Sequence, residues 1–238
     1  YLSTFMKVGV IAMLAISIVI VRPVINVPAM TVYATNGAGP VFSGKLFPFL
    51  FVTIACGALS GFHATISSGT TPKLIEKESQ ARLIGYGGML MDSFVAIMAL
   101  VAALSVDRGI YFAMNSPAGA TGNTVKSAIA YVNSLGLSSV HANANTLTTT
   151  AKLVGETSIV SRTGGAPTLA VGLATIMHKI FGGEAMMSFW YHFAIMFEAL
   201  FILTSVDAGT RVARFMLSDA LGNFWPRLKT TRGKLAPG

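Results

Sequence analysis

Charged residues are scarce in this 238-residue sequence. Asp, Glu, Lys and Arg make up 11% of it and apolar residues 53%, whereas an ordinary soluble domain carries about 25% charged residues. A soluble domain of this length would need a charged face on nearly every helix. The shortage of charge therefore excludes that class and indicates a chain whose solvent is lipid.

Cysteine is nearly absent as well, since Cys56 is the only one in the sequence. A single thiol excludes a disulfide framework and any metal or iron–sulfur site built from several cysteines. The formal net charge is +8, but the basic residues flank the apolar runs in short segments, which is typical of membrane proteins. We therefore expect membrane lipid as a partner and no binding of nucleic acid.

Four apolar runs approach the roughly 20 residues that a helix needs to cross a bilayer. They cover approximately residues 4–21, 46–68, 83–106 and 185–206. The alternative for the first run is a signal peptide that starts at Lys7, but further spans follow it and no small-residue cleavage site comes directly after it. The sequence thus predicts an all-α, polytopic membrane protein with a single transmembrane domain.

Basic residues near the ends of the spans predict which loops lie in the cytoplasm. They concentrate between the second and third spans and in the tail 207–238. The region 107–165 should then lie outside, where 124–135 and 142–155 are candidates for short surface helices. The apolar segment 166–181 is short for a span, and a full crossing would put the basic tail on the wrong side. We therefore expect this segment to be re-entrant or interfacial.

The second span loses its apolar character towards its end, where glycines and hydroxyl groups accumulate. Broken helices survive in the hydrocarbon core only inside protein or beside a wet cavity, and transporters use the freed N–H and C=O groups to bind substrates and ions. The alternative is an ordinary helix end in the headgroups, with Gly57-x-x-x-Gly61 as a close-packing surface. The candidate substrate-binding residues are Ser60, Gly61, His63, Thr65, Ser67 and Ser68.

Two carboxylates, Asp92 and Glu198, lie near the middle of the third and fourth spans. A charge at that depth costs about 2.5–3.5 kcal/mol on insertion scales, so each should face the bundle interior and have a partner or titrate. Each is a candidate for coupling to protons or sodium, or alternatively a protonated structural acid. Thr204 and Ser205 offer hydroxyl ligands for sodium at the end of the last span, but any helix end has this character.

Enzymatic activity is not expected, because the sequence contains no cluster of metal ligands and no plausible pair of nucleophile and base. No cofactor is expected either, beyond a proton or sodium ion as coupling ion. A different class of function is a membrane sensor or signalling scaffold. Such a protein would bind partners in a ligand-dependent way but would not accumulate labelled substrate.

Several long strings of the sequence are specific enough to indicate a family. They are Phe47–His63, Ser67–Lys73, Gly85–Ser93, Tyr111–Pro117, Ser161–Gly172, Phe189–Glu198 and Val206–Arg211. Together they resemble the carbon starvation protein A family over most of the chain, from about Gly37 onward. The resemblance implies a multi-pass protein of the bacterial inner membrane that is implicated in the uptake of peptides, with relatives that take up pyruvate with protons.

The family resembles the amino acid–polyamine–organocation superfamily, whose LeuT-like fold consists of inverted five-helix repeats. The resemblance implies that residues 46–68 are the broken sixth helix, with the residues from Ser60 to Ser68 lining the central site. Residues 107–181 would be a large external loop that carries re-entrant or short helices. The last span would be the eighth helix, whose inner end contributes to a sodium site in some relatives.

We therefore expect a secondary active transporter that imports small peptides or a short carboxylate such as pyruvate, coupled to protons or sodium. The sequence begins at Tyr1 and is nearly apolar from Val8, which indicates an internal piece of a longer polytopic chain. Family members are more than twice this length, so the remainder of the same chain should supply the partner broken helix. Many members have Glu where this chain has Asp92, which keeps the carboxylate but shortens its reach.

Overall fold

The computed structural model describes residues 2–25, 27–28, 32–33, 39–40, 46–58, 61–137 and 140–222, and these ranges contain helices and no strand. Three of the described helices are long and apolar enough to cross a membrane, namely Thr4–Val21, Glu78–Leu104 and Ala185–Leu221. The described residues confirm the prediction of a helical protein with long apolar helices. The second run, 46–68, does not form one long helix in the described residues.

The helices are numbered here in chain order. They are α1 (Leu2–Val21), α2 (Leu46–Ala58), α3 (Gly61–Thr65), a π-helical turn (Ile66–Thr70), α4 (Thr71–Leu74), α5 (Glu78–Leu104), α6 (Arg108–Asn115), α7 (Ala118–Thr121), α8 (Val125–Ser134), α9 (Ala144–Val154), α10 (Gly165–Phe181) and α11 (Glu184–Leu221). The chain forms two compact units. The first comprises Tyr1–Phe49 and Leu90–Glu198, and the second comprises Leu50–Met89 and Ala199–Gly238.

The short helices of the first unit begin at side chains that cap their amide groups. The Asp107 carboxylate accepts hydrogen bonds from the amides of Gly109 and Ile110 at 2.9 and 3.2 Å, which starts α6. Thr124 and Asn143 cap α8 and α9 in the same way. Such caps satisfy amides that the helix itself leaves without partners. The two helices expected within 107–165 are present as α8 and α9, and α8 packs against α6, α7 and α9.

Helix α10 forms the buried centre of the first unit. It corresponds to the apolar segment 166–181, and most of its middle residues are buried. It packs against α1 and α6. Its start is fixed by Asn115, whose side-chain amide donates to the Thr168 hydroxyl at 2.9 Å. The region 107–165 and the segment that follows it therefore form one packed assembly.

The long helices expose large apolar side chains along much of their length. On α5 these include Leu83, Leu90 and Ile97, which are 75%, 63% and 61% exposed. Large apolar side chains exposed in this number mark contact with a membrane or with further protein. This exposure is the physical reason to treat α1, α5 and α11 as membrane helices.

In the second unit, α11 continues well beyond the predicted last span. It has 38 residues and ends at Leu221, which corresponds to roughly 57 Å at 1.5 Å per residue. The first part of the predicted tail 207–238 is therefore helical, and residues 223–238 lie outside the described part. Lys73 lies in α4, and its Nζ forms an ion pair with Oδ2 of Asp219, near the end of α11, at 3.2 Å.

Candidate functional site

The predicted substrate-binding segment is helical from Gly61 onward but contains an irregular turn. Helix α3, the π-helical turn and α4 follow one another without interruption, and the Thr71 amide donates to the carbonyl of Ile66, five residues earlier. π-helical turns are rare in proteins as a whole, and those that occur are often found at functional sites. Ser60, the first predicted site residue, lies outside the described residues.

The hydroxyl groups of this segment donate to its own backbone. Thr65 Oγ1 donates to the Gly61 carbonyl at 2.7 Å, and Ser67 Oγ and Ser68 Oγ donate to the Ala64 carbonyl at 3.0 and 2.7 Å. A hydroxyl has one proton, so each of these oxygens keeps only lone pairs for a further partner. In this arrangement the segment presents hydrogen-bond acceptors, which suit an N–H group or a cation.

The same segment is open to its surroundings. Gly61, His63, Ser67 and Ser68 are exposed and Thr65 is half-buried. Among the described residues, no atom outside the neighbouring residues and the helix backbone lies within 4 Å of the position that a Cβ would take at Gly61. There is therefore room at this segment for a ligand or for a closely packed helix.

The two candidate acids occupy different environments. Asp92 is exposed on α5, whereas Glu198 is half-buried on α11. Glu198 continues a face of α11 whose earlier residues Met187, Tyr191 and Ala194 are all buried. In the described residues no hydrogen bond joins the two carboxyl groups. The structure thus places one acid on a packed helix face and the other on an open face.

The candidate sodium ligands Thr204 and Ser205 lie within a helix and not at its end. Both are exposed, and Thr204 Oγ1 donates to the Phe201 carbonyl at 2.5 Å. Because α11 continues to Leu221, the free carbonyls that a helix end would offer are not available at this position. Among the described residues, no group of three or more His, Cys, Asp or Glu side chains is arranged to hold a metal ion.

A polar network that the sequence did not indicate lies in the first unit. Arg162 Nη1 and Nη2 donate to Glu156 Oε1 and Oε2 at 2.8 and 2.7 Å, and Nη1 also donates to the Tyr191 hydroxyl at 3.4 Å. Hydrogen bonding to Glu156 raises the pKa of Arg162 above its already high ordinary value. Glu156 and Arg162 are six residues apart in a polar loop, where no helical or strand period predicts a contact.

An all-helical arrangement in the described residues, with three helices long and apolar enough to cross a membrane, defines the class as helical membrane proteins. The chain belongs to the family Carbon starvation protein CstA, whose model matches residues 1–236. The resemblance inferred from the sequence strings is therefore confirmed.

Curated relatives have transport activities in their names. The chain is 60% identical to the peptide transporter CstA of Mycobacterium tuberculosis (strain ATCC 25618 / H37Rv), over 94% of this chain and 30% of the relative. It is 60% identical to the peptide transporter CstA of Escherichia coli (strain K12), over 97% and 33%. It is 54% identical to the pyruvate/proton symporter BtsT of Escherichia coli (strain K12), over 99% and 35%. The chain spans about a third of the length of these relatives, and no solved structure matches it significantly.

Proposed function

We propose that this chain is part of a secondary active transporter that imports small peptides or a short carboxylate such as pyruvate, coupled to protons. The observation that carries the proposal is the identity of 54–60% to relatives named as peptide transporters and as a pyruvate/proton symporter. The sensor alternative has no comparable support. The names of the relatives also favour a protein that is not an enzyme.

In this proposal the segment from Ser60 to Ser68 binds the substrate. Its exposed hydroxyl oxygens present lone pairs, which suit the ammonium and amide N–H groups of a peptide, and the open space at Gly61 supports the same role. The remainder of the full-length protein would close the site from the other side. The protein would be a multi-pass component of the bacterial inner membrane, because α1, α5 and α11 have the length and composition of membrane helices.

Glu198 is the stronger candidate for proton coupling. It lies on a packed face of a spanning helix, where a carboxylate must find a partner or take up a proton. Asp92 is the second candidate, at similar depth on α5. A proton taken up by Glu198 from outside and released inside would couple substrate import to the proton gradient.

The test is uptake by the full-length transporter in proteoliposomes, with labelled dipeptide and labelled pyruvate as separate substrates. We expect an inward proton gradient to drive accumulation of one of them, and Glu198→Gln to abolish that accumulation. Substrate exchange without a gradient should persist in Glu198→Gln, because exchange needs no net movement of protons. Glu76→Gln, an exposed acid of the connector after α4, serves as the control and should behave as wild type.

Two outcomes would contradict the proposal. If the wild-type protein accumulates neither substrate under a proton gradient, the transport function is wrong. If Glu198→Gln and Asp92→Asn both leave the proton dependence unchanged, the assignment of the coupling acids is wrong.

A further inference from the structure

The Arg162 network joins the loop after α9 to helix α11. The guanidinium meets the Glu156 carboxylate with two parallel hydrogen bonds, a geometry that fixes the orientation of both groups. Its third contact is to the hydroxyl of Tyr191, a fully buried side chain of α11. The network therefore holds one defined point of α11 against the loop.

Tyr191 and Glu198 share a face of the same helix. They are seven residues apart, which corresponds to almost two full turns and roughly 10 Å along the axis. Ala194, between them on this face, is 4% exposed, and Met187, one turn before Tyr191, is 6% exposed. Because a helix is stiff over this distance, the rotation and depth of Tyr191 determine which way Glu198 points.

A second contact holds the same end of α11. The Ser188 hydroxyl donates to the carbonyl of Val154 at the end of α9, at 3.3 Å. Ser188 is three residues before Tyr191, so the two contacts lie about 60° apart on the same side of α11. The Ser188 contact attaches α11 to the end of α9 independently of the tyrosine, and the Arg162 network adds a second point that constrains the rotation. Loss of the tyrosine hydroxyl should therefore loosen the rotation without detaching the helix.

We propose that Arg162 is a positioning residue for Glu198, which it orients through Tyr191. The inference rests on the proposed function, in which Glu198 carries the coupling proton. Loosening the network should then reduce proton-driven accumulation more than substrate exchange, because exchange needs no net movement of protons through Glu198. A clamp with a purely structural role would weaken both activities together.

The experiment uses the full-length transporter in proteoliposomes and the substrate that the wild-type protein accumulates. We expect Tyr191→Phe and Arg162→Lys to lower gradient-driven accumulation by about fivefold or more, while exchange stays within about twofold of wild type. Tyr191→Phe removes one oxygen atom from a buried ring and so tests the contact with the least change to folding. Lys126→Gln, which removes an exposed charge from α8 in the same unit, is the control and should have no effect.

Two further variants make the result decisive. Combining Glu156→Arg with Arg162→Glu keeps an ion pair and a partner for the tyrosine hydroxyl, so it should restore part of the accumulation. Adding Tyr191→Phe to Glu198→Gln should cause no further loss of accumulation, because the two changes act on the same step.

Parallel loss of exchange and accumulation, or independent effects of Tyr191→Phe and Glu198→Gln, would overturn the inference. Both results presuppose a coupled wild-type protein, so they differ from a failure of the proposed function, in which the wild type itself shows no accumulation.

Discussion

Gly172 permits a very close approach between α10 and α5. A Cβ at this position would lie 2.1 Å from the carbonyl oxygen of Ala102 and 2.6 Å from its carbonyl carbon. The backbone of a helix cannot move locally as a flexible side chain can, so Gly172→Ala must push the two helices apart. Overpacking of this kind costs typically about 1–3 kcal/mol. We expect the variant to lower the free energy of unfolding by that amount, measured by thermal unfolding of the full-length protein in detergent.

The matched control is Gly165→Ala at the start of the same helix. In the part of the chain that the structure describes, no atom beyond the neighbouring residues and the helix backbone lies within 4 Å of the Cβ position there, and alanine is favoured over glycine in a helix by up to about 1 kcal/mol. Gly165→Ala should therefore be neutral or slightly stabilising. If Gly172→Ala is as stable as Gly165→Ala, the close contact between α5 and α10 does not exist in the protein.

At the scale of single residues, the sequence predicts how deep a side chain lies in the bilayer, but it does not predict whether the side chain faces the protein or its surroundings. Hydropathy placed both Asp92 and Glu198 near the middle of a span, and nothing local distinguished them. The structure separates them because only Glu198 continues a buried helix face. The contact between Arg162 and Tyr191 was equally inaccessible, since it joins a polar loop to a helix 29 residues further along the chain.

Among the elements, the π-helical turn and the helix before it carry a prediction about substrate binding. The double variant Ser67→Ala and Ser68→Ala removes two exposed oxygens that present lone pairs to a ligand. Because each oxygen presents only lone pairs, its partner is an N–H group of the peptide, and we expect the KM for dipeptide uptake to rise about tenfold, which corresponds to about 1.4 kcal/mol. The maximal uptake rate should change little, because the coupling acids are untouched. The measurement is the substrate dependence of uptake in proteoliposomes.

The control for this variant is Ser134→Ala on α8. Its hydroxyl is also exposed and donates to a carbonyl three residues earlier, that of Tyr131, at 2.7 Å. Loss of this bond perturbs a helix in the same way but lies outside the proposed binding segment. Equal effects of the control and the double variant on KM would contradict a role of Ser67 and Ser68 in binding.

The existence of the helices was easier to predict than their ends. The first run, 4–21, and the helix α1 agree closely, because an apolar run coincides with the whole helix. Helix α5 begins at Glu78 and not at Leu83, and α11 extends beyond residue 206, because charged residues in their outer turns lower the hydropathy without stopping the helix. Hydropathy reports contact with lipid, whereas helix ends depend on backbone hydrogen bonds and caps.

For the whole molecule, the ion pair between Lys73 and Asp219 bears on how many times the chain crosses the membrane. Lys73 precedes α5, and Asp219 lies near the end of α11. The two groups are 3.2 Å apart, so their segments must lie on the same side of the bilayer. An even number of crossings then separates them. Helices α5 and α11, which have the length and composition of membrane spans, would supply two, and we infer that α10 adds none.

This topology predicts the sidedness of five positions in the full-length protein. Single cysteines at Lys77 and Ala220 should react with a membrane-impermeant maleimide only in inside-out vesicles, because both lie in the basic segments that the charge distribution predicts to be cytoplasmic. Cysteines at Asn145, Thr163 and Lys179, which are all exposed, should react only in right-side-out vesicles. Thr163 lies just before α10 and Lys179 lies in its last turn, so they are the decisive pair. A background with Cys56→Ser and no other cysteine controls for unspecific labelling.

Labelling of Thr163→Cys and Lys179→Cys from opposite sides would mean that α10 crosses the bilayer, and the contact of Lys73 with Asp219 could then not form in a membrane.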